Sequence, residues 1–372
     1  MRIGLLTTSL SREGGGVFEA VAAQAHLLRD LGHDPVLFGF DQQHSRDDAA
    51  KLPDCEVHYV ALQGPLSVGL SAGMGRALHR AMPDMLHMHG IWTFLGLPAS
   101  RWARRHSRPF AISPHGMMDP WITARSPLKK ALAYRAWERA AWRQATLFHA
   151  LTQDEAADIA RHVARAGSPA SVETVPNAAP VPCAETLPYD RRGGFAYLGR
   201  IHEKKNVHAL IAAYLEAFPA NGPGLRIAGW GDEADVARLR ERIGEIARPD
   251  IAFLGPQFGA EKARLLGEAR FLVLPSHSEG LPMTILESWA AGTPTLQSAA
   301  CHLPEGFGSG AAMDCGSGTG AIAAALRKAG EMGAAEWDAM SQAATKLADG
   351  PFSGPQVALR WQAFYEKLAG RG

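Results

Sequence analysis

The sequence predicts an α/β protein of two domains, each a parallel sheet joined by crossover helices. Short apolar runs alternate with helical patterns along most of the chain, the mark of strands connected by helices rather than by hairpins. The 372 residues suit two domains at roughly 100 to 200 residues each. Between two such series stand Pro176, Pro180, Pro182 and Pro188, the clearest linker signal in the chain.

The first series opens with an apolar run at residues 2–8, read as a strand. A polar loop to Glu13 follows, then Gly14, Gly15, Gly16 and a helical pattern over 17–31. Strand, glycine loop and helix start make a corner that suits an anion, because unpaired N–H groups and the helix dipole converge there. Turns also use glycine for positive φ, so the triple glycine alone is weak evidence. Further strands are expected at 36–40, 57–62 and 85–88, with a helix from about residue 72. The segments MLHMHG and FAISPHG place His89 and His115 at the C-terminal ends of neighbouring strands, the functional edge of such a sheet. A lone histidine there is ordinarily structural; two at adjacent strand ends shift the balance towards function.

Residues 101–143 carry ten basic side chains and two acidic ones, Asp119 and Glu138, with Trp102, Trp121, Trp137 and Trp142 interleaved. Basic helices with tryptophan can lie on an anionic membrane or guide an acidic acceptor. The competing reading is a solvated face whose tryptophans point into the core. Strands near 146–151 and 172–175 close the first domain, placed at 1–180.

The second domain, 190–354, begins with a strand at 195–198 followed by GRIHEKKN and a helix to about residue 218. Arg200 and Lys205, five positions apart, would set two cations beside a diphosphate at a helix start; Lys204 competes for the lysine's place. After a strand at 225–229, GWGDEA meets the loose G-x-G-x-x-[GA] dinucleotide pattern. That pattern expects an acid about 20 residues on, at the end of the next strand, whereas Asp250 precedes the strand at 251–254. Gln257 and Phe258 follow that strand as candidates for touching a base.

The stretch FLVLPSHSEGLPMTILESWAAGTPT organises the rest. Residues 271–274 read as a strand buried on both faces, and 283–291 as a helix stopped by Gly292 and Pro294. Glu279 and Glu287, eight positions apart, frame this corner: at about 3.6 residues per turn, Glu287 lies roughly one and a half turns into the helix and can face the same crevice. On spacing alone, a loop charge and a surface helix charge explain them equally well. Loops with short strands are expected over 299–315, helices over 319–348, and a last amphipathic helix over 357–368 with Trp361 and Tyr365.

Composition excludes several classes. The 38 basic and 37 acidic residues nearly cancel, which argues against a nucleic-acid partner. The 47% apolar content supplies two cores. Cys55, Cys183, Cys301 and Cys315 form no C-x-x-C pair, so no zinc site or disulfide framework is expected. No two aspartates have a single residue between them, so there is no Asp-x-Asp pattern; a metal site is not expected, and the cations Arg200 and Lys205 would do that work. The N-terminus lacks a signal-peptide pattern and no apolar run approaches about 20 residues. A cytoplasmic protein is expected, with peripheral contact at the inner face of the cell membrane.

SEGLPMTILE around Glu279 and Glu287, GRIHEKKN, and SPHGMMDPW around His115 resemble the retaining glycosyltransferases of two-Rossmann (GT-B) architecture, family 4 (group 1). The resemblance runs from Gly14 to about Cys315. It implies two Rossmann-like domains with parallel sheets facing a central cleft, the first binding the acceptor and the second a nucleotide-diphosphate sugar, with no other cofactor. The C-terminal helix, 355–372, would pack back on the first domain. Glu279 would contact the donor sugar and Glu287 the ribose. Arg200 and Lys205 would clamp the diphosphate, with Gly15, Gly16, Gly280 and Leu281 also at the donor. His115 would meet the transferring sugar, and His89 is a second candidate for sugar or acceptor contact. Glu203 stands where many relatives have proline, which leaves the lysine register open. The implied reaction moves a hexosyl group to a glycan or lipid-linked acceptor, as in polysaccharide biosynthesis, with retention and without metal. A sugar-nucleotide epimerase and a non-catalytic nucleotide-sugar sensor remain as alternatives; a Rossmann oxidoreductase fits least, because of Asp250.

Overall fold

A computed structural model describes residues 1–181 and 186–370; the linker residue Pro182 and the thiol Cys183 lie outside the described residues. The chain divides into two compact units, Met1–Pro176 with Ala358–Gly372, and Asn177–Val357.

In the first unit the strands are β1 (Arg2–Ser9), β2 (Asp34–Phe40), β3 (Glu56–Val60), β4 (Met85–His89), β5 (Phe110–Ser113), β6 (Leu147–Ala150) and β7 (Ser171–Thr174). Their order is β3-β2-β1-β4-β5-β6-β7, and every neighbouring pair is parallel. The strands read as near-continuous apolar runs because helices cover both faces. Phe38, Met88, Phe110 and Phe148 of the sheet pack with Trp102 and Trp142 in one core. The last helix, Gly354–Ala369, belongs to this unit from Ala358 onwards and buries Trp361, Phe364, Tyr365 and Leu368.

The second unit contains β8 (Phe195–Leu198), β9 (Leu225–Ala228), β10 (Ile251–Gly255), β11 (Phe271–Leu274), β12 (Thr295–Gln297) and β13 (Ala312–Asp314). The order β10-β9-β8-β11-β12-β13, again all parallel, repeats the winding of the first sheet. Strand order reverses between β1 and β4 in one unit and between β8 and β11 in the other. In an open parallel sheet the crevice beyond the strand ends at that reversal is where ligands bind.

One strand was not foreseen, and one open alternative is decided. β12 was not foreseen as a strand, since two of its three residues are polar. Thr295 and Gln297 are nonetheless fully buried: the Thr295 hydroxyl donates to Gln297 Oε1 at 2.9 Å, and Gln297 Nε2 donates to the Leu303 carbonyl at 3.1 Å. Internal hydrogen bonds meet the polar groups, so burial leaves no apolar pattern to read. Of the two readings open for the interleaved tryptophans, the structure follows the one that turns them inward. Trp102 and Trp142 are buried, Trp121 and Trp137 half-buried, and the exposed apolar side chains of this region are Leu128 (85% exposed) and Leu132 (68%).

Candidate functional site

In the second unit the reversal point is built by two loops. After β8 the chain runs through Gly199, Arg200 and a 3-10 turn, Glu203–Lys205, into the helix Val207–Ala217. Asn206, at φ 61°, ends the turn in the left-handed conformation that asparagine tolerates better than most residues. Its Nδ2 donates to the carbonyls of Pro275 (3.1 Å) and Ser317 (2.8 Å), and the His277 amide donates to the Lys204 carbonyl at 2.9 Å. The loops after β8 and β11 are thereby stitched together.

The stitching brings Lys205 and Glu279 into contact. Lys205 Nζ lies 2.6 and 2.7 Å from the two Glu279 carboxylate oxygens, and the Ser276 hydroxyl donates to Oε1 at 2.6 Å. Glu279 is 7% exposed and the lysine side chain 20%. A pair this dry interacts far more strongly than a surface salt bridge, and each partner makes the other's burial tolerable. It fixes a carboxylate and an ammonium at one point of the sheet edge, one accepting and one donating.

The other predicted residues fall around this pair. Gly280 is half-buried and Leu281 buried; both precede Pro282, which caps the helix Met283–Ala290. Glu287 lies on that helix but contacts neither Glu279 nor Lys205: its Oε1 meets Lys262 Nζ of the helix Gly259–Glu268 at 2.8 Å. Arg200 is half exposed and pairs with Asp232 at 3.1 Å. Sequence reasoning gave no role to Ser276, Asn206, Asp232 or Lys262, although Asn206 ends GRIHEKKN, Ser276 opens the loop before Glu279 and Asp232 stands in GWGD. The glycines of that motif serve close backbone approach. A Cβ on Gly229 would sit 1.9 Å from the Gly199 carbonyl oxygen, and one on Gly231 2.4 Å from that of Ile201. Asp250, before β10, accepts from Tyr214 (3.0 Å) and the Gly222 amide (2.8 Å), at the edge away from the reversal point. The same edge carries a shallow cavity lined by Arg191, Pro223, Asp250 and Glu268. Beyond the C-terminal ends of β9 and β10, Trp230 (49% exposed) and Phe258 (62%) have ring centroids 5.8 Å apart.

In the first unit, Gly15 has φ 54° and ψ −135°, a region that glycine alone enters readily. It precedes Gly16, the first residue of the helix Gly16–Asp30. Gly14 is the tightly packed member, since a Cβ there would meet Phe18 and Ser9 at 3.0 Å. Arg12 pins the loop: its amide and guanidinium donate to Asp48 at 2.7 and 2.6 Å. That pairing holds the Asp48 carboxyl down at about 2.

The structure joins the two predicted histidines directly, with His89 Nδ1 2.9 Å from His115 Nε2. His87 and His149 lie beside them and share Ser113 Oγ, each at 2.7 Å. Burial pushes His115 down to about 3 and His149 to about 4, and keeps His87 and His89 well below the usual imidazole range. All four are neutral near pH 7. Two buried glutamates hold the surrounding loops. Glu155 accepts from the amides of Gly116 (2.5 Å) and Leu151 (2.7 Å), fixing the turn in which His115 and Gly116 have φ 53° and 75°. Glu138, on a single π-helical turn, Tyr134–Glu138, accepts from the Trp92 amide (2.5 Å) and the Trp142 indole (2.8 Å). Burial outweighs those donors and lifts its carboxyl to about 8.

Residues 15–178 match the model of the glycosyl transferase 4-like domain, and residues 192–331 that of glycosyl transferases group 1. This chain belongs to the group 1 glycosyltransferases of GT-B architecture. Among curated proteins it is 36% identical over 124 residues to glycogen synthase of Mycobacterium tuberculosis, covering 33% of this chain and 30% of that protein. It is 32% identical over 126 residues to D-inositol 3-phosphate glycosyltransferase of Mycobacterium bovis, covering 32% of this chain and 25% of that protein. The aligned stretches thus span less than a third of these relatives. Among solved structures, HepE of Anabaena in complex with UDP and glucose matches with TM-score 0.77 and 16% identity over 98% of this chain and 99% of that one. Sucrose-phosphate synthase of Thermosynechococcus elongatus matches with TM-score 0.77 and 16% identity over the full length of both. At such identity these likenesses speak for the fold.

Proposed function

We propose that this protein is a glycosyltransferase that moves a hexosyl group from a nucleotide-diphosphate sugar to a glycan or lipid-linked acceptor, with retention. The Lys205–Glu279 pair at the β8/β11 reversal carries this reading. Its ammonium suits the diphosphate and its carboxylate a sugar hydroxyl, so charge is in place where the leaving group departs. Arg200, half exposed, exchanges Asp232 for phosphate oxygens. Glu287, oriented by Lys262, accepts from the ribose; Gly280 and Leu281 line the donor between the two glutamates. Gly15 and Gly16 supply amides from the first unit, and His115 meets the transferring sugar. The cations replace a metal ion. With no separate nucleophile assigned, same-face attack assisted by the departing phosphate accounts for retention. The first unit takes the acceptor and the second the donor.

Trp230 and Phe258, exposed at the ends of β9 and β10, offer π-faces for the base beside Gln257. Thermal denaturation against UDP-, GDP- and ADP-sugars tests the donor reading, because selective binding raises apparent stability. One base is expected to stabilise strongly. Trp230→Ala is expected to weaken that donor about tenfold, in line with roughly 1–3 kcal/mol per stacked base. No shift with any of the donors would remove the reading.

The acceptor side includes a basic surface with an apolar tip. Leu128 and Leu132, one turn apart on the helix Pro127–Ala133, are exposed beside Lys129, Arg135 and Arg139, while Glu138 is buried and neutral at pH 7. This surface suits the anionic headgroups of a membrane in which a lipid-linked acceptor would sit. Co-sedimentation with phosphatidylglycerol vesicles is expected, weakening with salt and lost in Leu128→Glu/Leu132→Glu. Equal sedimentation of both proteins, or none of either at low salt, would exclude it. No helix among the described residues is long and apolar enough to cross a membrane.

A further inference from the structure

The histidines of the first unit have proton positions that follow from hydrogen-bond bookkeeping. His149 Nε2 lies 2.7 Å from the Val175 carbonyl. A carbonyl only accepts, so Nε2 bears the proton and Nδ1 accepts. Ser113 Oγ donates to that Nδ1 and must itself accept from His87 Nε2. His87 Nδ1 in turn accepts from the Tyr365 hydroxyl at 2.8 Å, whose oxygen accepts from Gln24 Nε2 at 2.7 Å. One carbonyl orders the whole chain of neutral rings.

His89 and His115 form a separate pair, in which a single proton lies between His89 Nδ1 and His115 Nε2. The other nitrogen of His89, Nε2, is buried and meets no partner among the described residues. Were that nitrogen protonated, a buried N–H would be orphaned. With the proton on Nδ1 only a lone pair goes unmet, the less costly of the two. His89 therefore donates and His115 Nε2 accepts.

We propose that His89 is a positioning residue that sets the tautomer of His115, so that His115 presents a neutral Nδ1–H donor to an oxygen of the sugar or acceptor and does not act as a base there. This rests on the reading above that His115 meets the transferring sugar. The role assigned to His89 differs from the direct contact expected of it: it works through its neighbour.

Long-range ¹H–¹⁵N spectra of the full chain labelled at histidine nitrogens read tautomers directly, with His115→Ala supplying the assignment. At pH 7 His115 is expected as the Nδ1–H form. His89→Asn keeps an amide N–H near the place of Nδ1–H and is expected to retain that form, with kcat/KM within a few-fold of the parent. His89→Leu removes the donor: His115 should lose its single tautomer and kcat/KM fall about tenfold, the worth of one hydrogen bond. An Nε2–H form of His115 in the parent, or an unchanged tautomer in His89→Leu, overturns the proposal. If His89→Leu does not fold, the parent spectrum decides alone. Absence of turnover with every donor would count against the transferase reading and leave the spectra to judge this one.

Discussion

Lys205→Ala is expected to lower kcat by a factor of about 10² or more, the usual loss when a preorganised charge at a reacting centre is removed. Two losses coincide in this variant. The ammonium that would face the departing diphosphate is gone, and Glu279, 7% exposed, is left as a buried carboxylate with only the Ser276 hydroxyl among its side-chain partners described above. A buried charge stripped of its partner is strongly disfavoured, so the sugar contact is disturbed as well. Glu279→Ala should show a loss of similar size, because Lys205 then loses the acceptor that orients it. The two effects should be far from additive in the double variant, since each single change already dismantles the same pair. Steady-state kinetics with the donor selected by thermal shift, alongside melting curves to establish folding, measure this. Near-parental turnover in Lys205→Ala, Glu279→Ala and Arg200→Ala alike would contradict the assignment.

Replacing Glu138 should produce the largest change in the pH dependence of stability. Its carboxyl titrates at about 8 in the fold and near 4.3 in an unfolded chain. Between those values the native state holds a proton that the unfolded state has released, so the contribution is fully present below about pH 4 and fades as pH rises through about 8. At about 1.4 kcal/mol per pH unit, the parent should lose on the order of 5 kcal/mol relative to Glu138→Gln across that window. Glutamine keeps an acceptor for the Trp92 amide or the Trp142 indole but carries no titrating proton. Urea unfolding at pH 5 and pH 8.5 gives the comparison; parallel stabilities for the two proteins would show that Glu138 is ionised in the fold. Because the Trp92 amide lies just beyond the end of β4, the parent should also loosen around His89 at alkaline pH.

The parts of this protein legible in its sequence are those encoded by local pattern. Parallel strands buried on both faces declare themselves as apolar runs, as at Phe271–Leu274, and the glycine- and proline-bounded loops after them mark the corners. Lys205 and Glu279 were both singled out, each within its own segment. Their contact was not, because 74 residues separate them and no local rule links the end of β8 to the end of β11. Lys262, the partner of Glu287, went unnoticed because a lysine on an amphipathic helix is ordinarily solvated. β12 was overlooked since its polar side chains satisfy one another, and the tryptophans of 101–143 gave no hint of orientation because a basic helix can turn either face inward.

By itself the chain determined its alternating strands and helices, the glycine corners and the charged residues placed at strand ends, all consequences of side-chain period and backbone freedom over a few residues. Tertiary structure alone decided the winding order that puts those ends at two reversal points, the pairing of Lys205 with Glu279 and of His89 with His115, and the burial that keeps Glu138 and four histidines neutral. The reason is physical: desolvation and long-range hydrogen bonding depend on what closes around a group, and that is settled only when distant segments pack.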